Sequence, residues 1–216
     1  MLRFTTAGES HGAALVSILE GMPAGVPLLA EDVDAQLVRR QGGYGRGRRM
    51  QIESDRIELL SGVRAGETIG SPIAMLIRNH DWRNWQEIMS PAPIAGESEQ
   101  SGERKRAVTR PRPGHADLAG MLKYDRTDAR DILERASARE TTARVAAGAV
   151  CRVLLAQFDV AIGSHVVELG DVVARAPGSL PSDINAVADK SPLRTLDSDA
   201  EARMIAIIDE ARSSGD

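Results

Sequence analysis

Over its first eighty residues the chain alternates short apolar runs with glycine or proline breaks, a rhythm that suits strands. Residues 2–6, 13–20, 57–61 and 73–78 are rich in Val, Ile and Leu and bounded by Gly or Pro, so each reads as a strand. Residues 160–169 are expected to form another by the same rule. Helical spacing lies between these runs. Residues 31–40 put Val33 and Leu37 at i, i+4 and stop at Gly42-Gly43, a C-terminal signal. Ser137-Ala-Arg-Glu140 has capping-box spacing, in which a hydroxyl and a carboxylate satisfy each other's backbone N–H, and predicts a helix to about residue 158. From Val145 to Leu155 that helix is apolar on nearly every side, with Ala146, Ala147, Gly148 and Ala149 permitting close approach, so it is expected to be sandwiched inside the core. Ser198-Asp-Ala-Glu201 repeats the cap, and Ile205, Ile208 and Ala211 mark a stripe on the helix after it. Residues 91–106 are polar with almost no apolar anchor and are expected to be a flexible loop, and 177–192 a milder connection.

Composition narrows the class. With 216 residues, 42% of them hydrophobic, the chain can bury a core of one domain or two small ones. Its net charge is -4, so no broad basic face is implied, which argues against duplex DNA or a membrane surface as the main partner. Cys151 is the single cysteine and excludes an intrachain disulfide or thiolate zinc site. The first residues lack a basic segment followed by an apolar one, and a cytoplasmic location is expected.

Against that acidic background, residues 39–49 hold five arginines and four glycines. Guanidinium forks match carboxylate and phosphate oxygens, and glycines let the backbone approach a ligand, so a small multiply charged anion is one reading. A solvated Arg-Gly loop that binds RNA loosely is the other, weakened because only 3% of residues are aromatic and Tyr44 is the sole one in the loop. Gly8-Glu-Ser-His-Gly12 matches the nucleophile-elbow pattern of serine hydrolases, with Ser10 as nucleophile, but only one short strand precedes it. The four histidines, at 11, 80, 115 and 165, form no i, i+3 or i, i+4 pair, so no metal site is expected. His115 lies in a proline-stiffened segment two residues before Asp117, which is near enough to orient its ring, and is a general-acid candidate; His80 and His165 read as structural. Around Ser137, Arg135 and Arg139 either face an anion at a helix start or pair with Glu134 and Glu140 on a wet surface.

Gly8-Glu-Ser-His-Gly12, the Arg-Gly segment 39–49, Arg110-Pro-Arg-Pro-Gly-His-Ala-Asp117 and Glu134-Arg-Ala-Ser-Ala-Arg-Glu140, together with Ser61-Gly-Val-Arg, Gly70-Ser-Pro-Ile-Ala and Asp81-Trp, closely resemble chorismate synthase in order and spacing. The resemblance covers residues 1 to about 170, and the remainder more loosely. It implies an α+β fold, a sandwich with central helices between antiparallel sheets, here as a single N-terminal portion of a family that continues past Asp216. It further implies a lyase that converts 5-enolpyruvylshikimate 3-phosphate to chorismate and phosphate, a 1,4-anti elimination needing reduced FMN, with NADPH as the candidate flavin reductant. The implied partner is that small-molecule substrate, with no nucleic acid or membrane, in a homotetramer. By resemblance His11 is the general acid at the leaving phosphate and His115 stabilises charge on the flavin. Ser10, Arg40, Arg46, Arg49 and Arg139 serve substrate or NADP, and Arg135, Ala136 and Ser137, with His115, contact FMN. Ala65 stands where the family more often has His.

Overall fold

The computed structural model describes residues 1–45, 54–93 and 107–215. Arg46, Arg49 and all but the first three residues of the polar stretch 91–106 lie outside the described residues. The chain divides into two compact units, Met1–Leu37 with Glu53–Val153, and Val38–Ile52 with Leu154–Asp216.

Four of the expected strands form the main sheet of the first unit. β1 (Arg3–Ala7), β2 (Ala14–Glu20), β4 (Ile57–Ser61) and β7 (Ile73–Arg78) pair antiparallel in the order β1-β2-β7-β4. The period-two pattern fixes their register. Leu15, Ser17 and Leu19 on β2 sit opposite Ile77, Met75 and Ile73 on β7, all six buried, so a slip of one residue would turn this row to the other face. A smaller sheet joins β3 (Ala24–Pro27), β6 (Glu67–Ile69) and β5 (Val63–Arg64). The buried Thr68 hydroxyl fastens it, donating to the Pro23 carbonyl at 2.7 Å and accepting from Val26 N–H at 3.0 Å.

The helices add further buried side chains to that unit. α1 (Ala30–Gln41) buries Val33 and Leu37 and stops at the expected glycines. α2 (Asp117–Tyr124) meets the one-turn α3 (Arg130–Leu133) at Gly120, where an added Cβ would lie 2.4 Å from an Ile132 methyl. α4 (Thr141–Ala156) follows a 3-10 turn over Ala138–Glu140 and buries Thr142, Ala143, Ala146, Ala147, Ala149 and Val150. Its burial is broad but not all round: Gly148 is exposed, and residues 151–155 are only partly buried. This corrects the expectation of a helix enclosed along its length, since small side chains allow close packing without requiring it on every side.

Both expected capping boxes are also corrected. Ser137 caps as proposed, accepting from Arg139 N–H at 3.3 Å, but the Glu140 carboxylate reaches away to the Thr6 hydroxyl at 2.6 Å and the Arg144 guanidinium at 2.7 Å. At α6 (Ser198–Ser214) the cap is Asp197, whose carboxylate accepts from Asp199 and Ala200 N–H groups, and Ser198 is the first helical residue. A carboxylate one position earlier outcompetes the hydroxyl for the same donors.

The second unit contains α5 (Ile184–Ala188), α6 and the hairpin of β8 (Glu168–Leu169) with β9 (Val172–Val173). Its core is Val172, Leu193, Ala200 and Met204, flanked by Ile205, Ile207 and Ile208. The expected strand over 160–169 is not there. Only Val166, in a bridge to Thr195, and β8 adopt strand pairing, because an apolar run makes a strand only where another strand lies alongside, and Val160, Ile162 and Val167 remain exposed.

β5 and β6 are joined by the two-residue turn Ala65-Gly66, with φ of 54° and 80°. Two left-handed residues define the type I′ turn that suits strand twist, a site at which Asn-Gly is favoured and an exposed alanine is strained. Ala65→Asn is therefore expected to stabilise the protein by about 0.5–1 kcal/mol, read as a higher urea midpoint at unchanged m-value. An unchanged or lower midpoint would show that the alanine is not strained there.

Candidate functional site

The Gly8–Gly12 segment turns sharply off the end of β1. Gly8 has φ of 100°, and a Cβ there would sit 2.3 Å from the Ala14 carbonyl, so only glycine fits so close to the start of β2. The buried Asn79 amide, just past β7, donates to the carbonyls of Gly12 at 2.8 Å and Ser10 at 3.4 Å. From the other side comes Glu134, 1% exposed, at the end of α3. Its backbone carbonyl accepts from Ser10 N–H at 2.9 Å, its Oε2 from His11 N–H at 2.9 Å, and its two oxygens lie 2.7 and 2.9 Å from His11 Nδ1. Trp85 stacks on the His11 ring, with centroids 3.7 Å apart and planes 30° apart, and Arg130 covers the Trp85 ring.

Arg135, the residue after Glu134, ties the same turn to β1. Its guanidinium donates to the Thr6 carbonyl and hydroxyl at 2.9 and 2.7 Å and to the Gly8 carbonyl at 3.3 Å. Burial pushes the Glu140 carboxyl up, yet the bonds from Thr6 and Arg144 outweigh that and hold it below its ordinary range. Arg139 points elsewhere: it is 5% exposed and its Nη2 reaches the buried Asp55 at 3.0 Å.

A second imidazole–carboxylate pair sits at the start of α2. Asp117 is fully buried, and His115 Nδ1 lies 2.5 Å from its Oδ1. Oδ2 accepts from the Arg112 backbone N–H and Nε, both at 3.0 Å, and Arg112 Nη2 lies 3.1 Å from His115 Nε2. The Arg112 guanidinium first, and the Arg112 N–H and His115 after it, hold the Asp117 carboxyl far below the usual aspartate range against burial, which acts the other way. Glu134 also acts on the charge of Arg112, so the two histidine pairs share an electrostatic neighbourhood, consistent with the packing of α2 on α3.

Of the residues singled out in the sequence, Ser10, His11 and Arg135 are thus brought together, Ala136 and Ser137 follow Arg135 along the chain, and His115 lies just before α2. Arg40 lies in the last turn of α1, in the second unit, where Arg39 is held by Asp189 at 2.7 Å and Asn185 at 3.0 Å and Tyr44 by Asp209 at 2.8 Å. These contacts order the beginning of the Arg-Gly segment. Ser10 is 3% exposed, which does not suit a nucleophile that must meet a substrate. Sequence reasoning passed over Glu134, Trp85, Asn79 and Arg112 as site residues. Glu134 was visible only as a possible surface partner of nearby arginines, and its bond to a histidine 123 positions away has no sequence signal. Among the described residues no His, Cys, Asp and Glu cluster could hold a metal ion, and no helix is long and apolar enough to cross a membrane.

The chorismate synthase family model matches residues 2–216. Chorismate synthase of Symbiobacterium thermophilum is 54% identical over 216 residues, and chorismate synthase 1 of Bacillus cereus 51%, each alignment covering all of this chain and 55% of the relative. A crystal structure of chorismate synthase superposes with a TM-score of 0.74 at 40% identity, over 99% of this chain and 54% of that one. The α+β arrangement of helices and antiparallel sheets and the two histidine sites sit in a chain that belongs to the chorismate synthase family. It spans about half the length of the curated relatives it matches.

Asp117 has a folded-state value below its unfolded one, so its contribution to stability is complete above the ordinary aspartate value of about 3.9 and is lost as pH falls below it. Asp117→Asn should lower the urea midpoint at pH 7, and the gap from the parent protein should narrow steadily below about pH 4. A gap that stays constant down to pH 3 would mean that the carboxylate's charge is not what holds Arg112 and His115.

Proposed function

We propose that the protein containing this chain is a chorismate synthase, eliminating phosphate from 5-enolpyruvylshikimate 3-phosphate to give chorismate. The observation that carries this reading is His11, held by a buried carboxylate in a turn where only glycine fits, beside the Arg135–Ser137 segment. In a 1,4-anti elimination the C–O bond to phosphate breaks, a ring C–H bond breaks with its proton passing to a base that bound reduced FMN would supply, and the electron pair of that bond completes a new double bond. His11 gives a proton to a phosphate oxygen as that bond breaks, so the leaving group departs with less charge. Arg40, Arg46 and Arg49 clamp the phosphate and carboxylates, or the phosphate of NADP, through charge-assisted hydrogen bonds. Arg139, expected to serve the substrate, turns inward to the buried Asp55 instead and takes no part in this clamp.

The donor set also suits reduced FMN, an electron-rich and anionic group. The Arg112–His115 pair offers a guanidinium and an imidazole whose orientation is fixed by a buried carboxylate, and Arg135, Ala136 and Ser137 present a guanidinium, a backbone edge and a hydroxyl on one short segment. When bound, reduced FMN supplies transient electron density to the elimination, with no net redox change. His115 and Arg112 stabilise negative charge at that place. NADPH is the flavin reductant in this reading, and the protein works as a cytoplasmic homotetramer.

The full protein containing this chain, not residues 1–216 alone, is expected to form chorismate from the phosphorylated substrate under reducing conditions with FMN, and absence of product with that protein folded would refute the assignment. His11→Ala should cut turnover by about 10²–10⁴-fold with reduced-FMN affinity nearly unchanged, whereas His115→Ala should slow turnover and alter the spectrum of bound flavin. The opposite pattern would exchange the two roles. Separately, Arg40→Ala should weaken substrate or NADP binding by about 1.5–3 kcal/mol, measured by calorimetric titration. Unchanged affinity for both ligands would leave the Arg-Gly segment without a clamping role.

A further inference from the structure

His11 is attached to Glu134 more thoroughly than a surface ion pair requires. One residue, 1% exposed, uses three oxygens on two consecutive residues: its carbonyl on Ser10 N–H, Oε2 on His11 N–H, and both carboxylate oxygens near His11 Nδ1. The ring's rotation is fixed as well, because Trp85 stacks on its face and is itself held by its indole N–H on Asp81 at 2.8 Å. Arg130 Nη1 lies 3.8 Å from Glu134 Oε1, so a guanidinium flanks the acid that grips the imidazole. A carboxylate can only accept, so the Nδ1 position must carry the hydrogen.

We infer that Glu134 is a positioning residue which locks His11 in the Nδ1–H tautomer, so that the proton exchanged with the leaving group is always the one on Nε2. The inference rests on the reading of His11 as general acid. In the step, the Nε2–H bond breaks, its electron pair stays on nitrogen, and its proton goes to a phosphate oxygen. The neutral ring left behind already has the hydrogen on Nδ1 that Glu134 accepts, so no proton needs to be rearranged. A glutamine at this position would meet two demands with one oxygen. If that oxygen stays on the His11 backbone N–H, the amide NH₂ faces Nδ1 and makes it an acceptor, which moves the ring hydrogen to Nε2 and leaves a mismatched product after proton transfer.

The test uses two variants and two readouts. Nitrogen-15 NMR of the imidazoles, with the ring neutral and no flavin or substrate present, should find the His11 hydrogen on Nδ1 in the parent protein and in Glu134→Asp, and on Nε2 in Glu134→Gln. Turnover by the flavin-loaded protein should fall at least about 100-fold in Glu134→Gln, the scale of general-acid catalysis, through kcat with KM little changed. Glu134→Asp should recover part of that loss, and Glu134→Gln combined with His11→Ala should be no slower than His11→Ala alone. A His11 hydrogen on Nε2 in the parent protein, or Glu134→Gln with the parent's tautomer and turnover, overturns the inference. If Glu134→Gln does not fold, Glu134→Asp decides by the same spectrum: Nδ1–H upholds the lock and Nε2–H rejects it. Should the tautomer respond as expected while His11→Ala turns over normally, the lock stands and the general-acid reading of His11 fails.

Discussion

The architecture of the site depends on a buried carboxylate placed where no sequence-local partner could reach. Glu134 joins the turn after β1 to the junction between α3 and α4, and it does so through backbone and side chain together. Burying such a charge is tolerable only when donors surround it, and here the ring of His11, the His11 N–H and Arg130 do so. The turn is also held from below by Asn79 and from the side by Arg135. Remove the acid and the His11 N–H loses its acceptor while the imidazole loses its orientation, with only the bond from Ser10 N–H to the backbone carbonyl left in place. The sheet, by contrast, owes its register to apolar alternation and needs none of this.

Both histidines are held by buried acids, yet the two pairs are built differently. Asp117 lies two residues from His115, on the first turn of α2, where a carboxylate is also favoured by the helix dipole. That pair is a property of a short, proline-stiffened segment. The His11 pair is a property of the fold, since it exists only after β1 and α3 have been brought side by side. Contact of Gly120 with Ile132 then sets α2 against α3 and brings the first pair into the neighbourhood of the second.

Where the sequence misled, the reason was competition among neighbours. Ser137 and Ser198 both had glutamate three residues on, but Glu140 found a stronger use with Thr6 and Arg144, and Asp197 stood one position ahead of Ser198 with a charged acceptor. The apolar run at 160–169 has strand composition, yet a strand is a relation between two segments, and only its end has a partner. Serine in a nucleophile-elbow pattern likewise proved to be a buried turn residue.

The sequence by itself determined the elements whose signals are local and redundant: the four strands of the main sheet, whose alternation also sets their faces, α1 with its glycine stop, and the His115–Asp117 pair. It also carried the motif order from which the family could be read. Tertiary structure alone decided that Glu134 faces His11 across 123 positions, that Trp85 stacks on that ring, and that Arg139 turns inward to Asp55 while Arg135 turns to β1. Periodicity and capping are encoded within a few residues. The partner of a buried charge is chosen by which chain segments the core forces together, and neighbouring arginines of one helix start can therefore end in opposite environments.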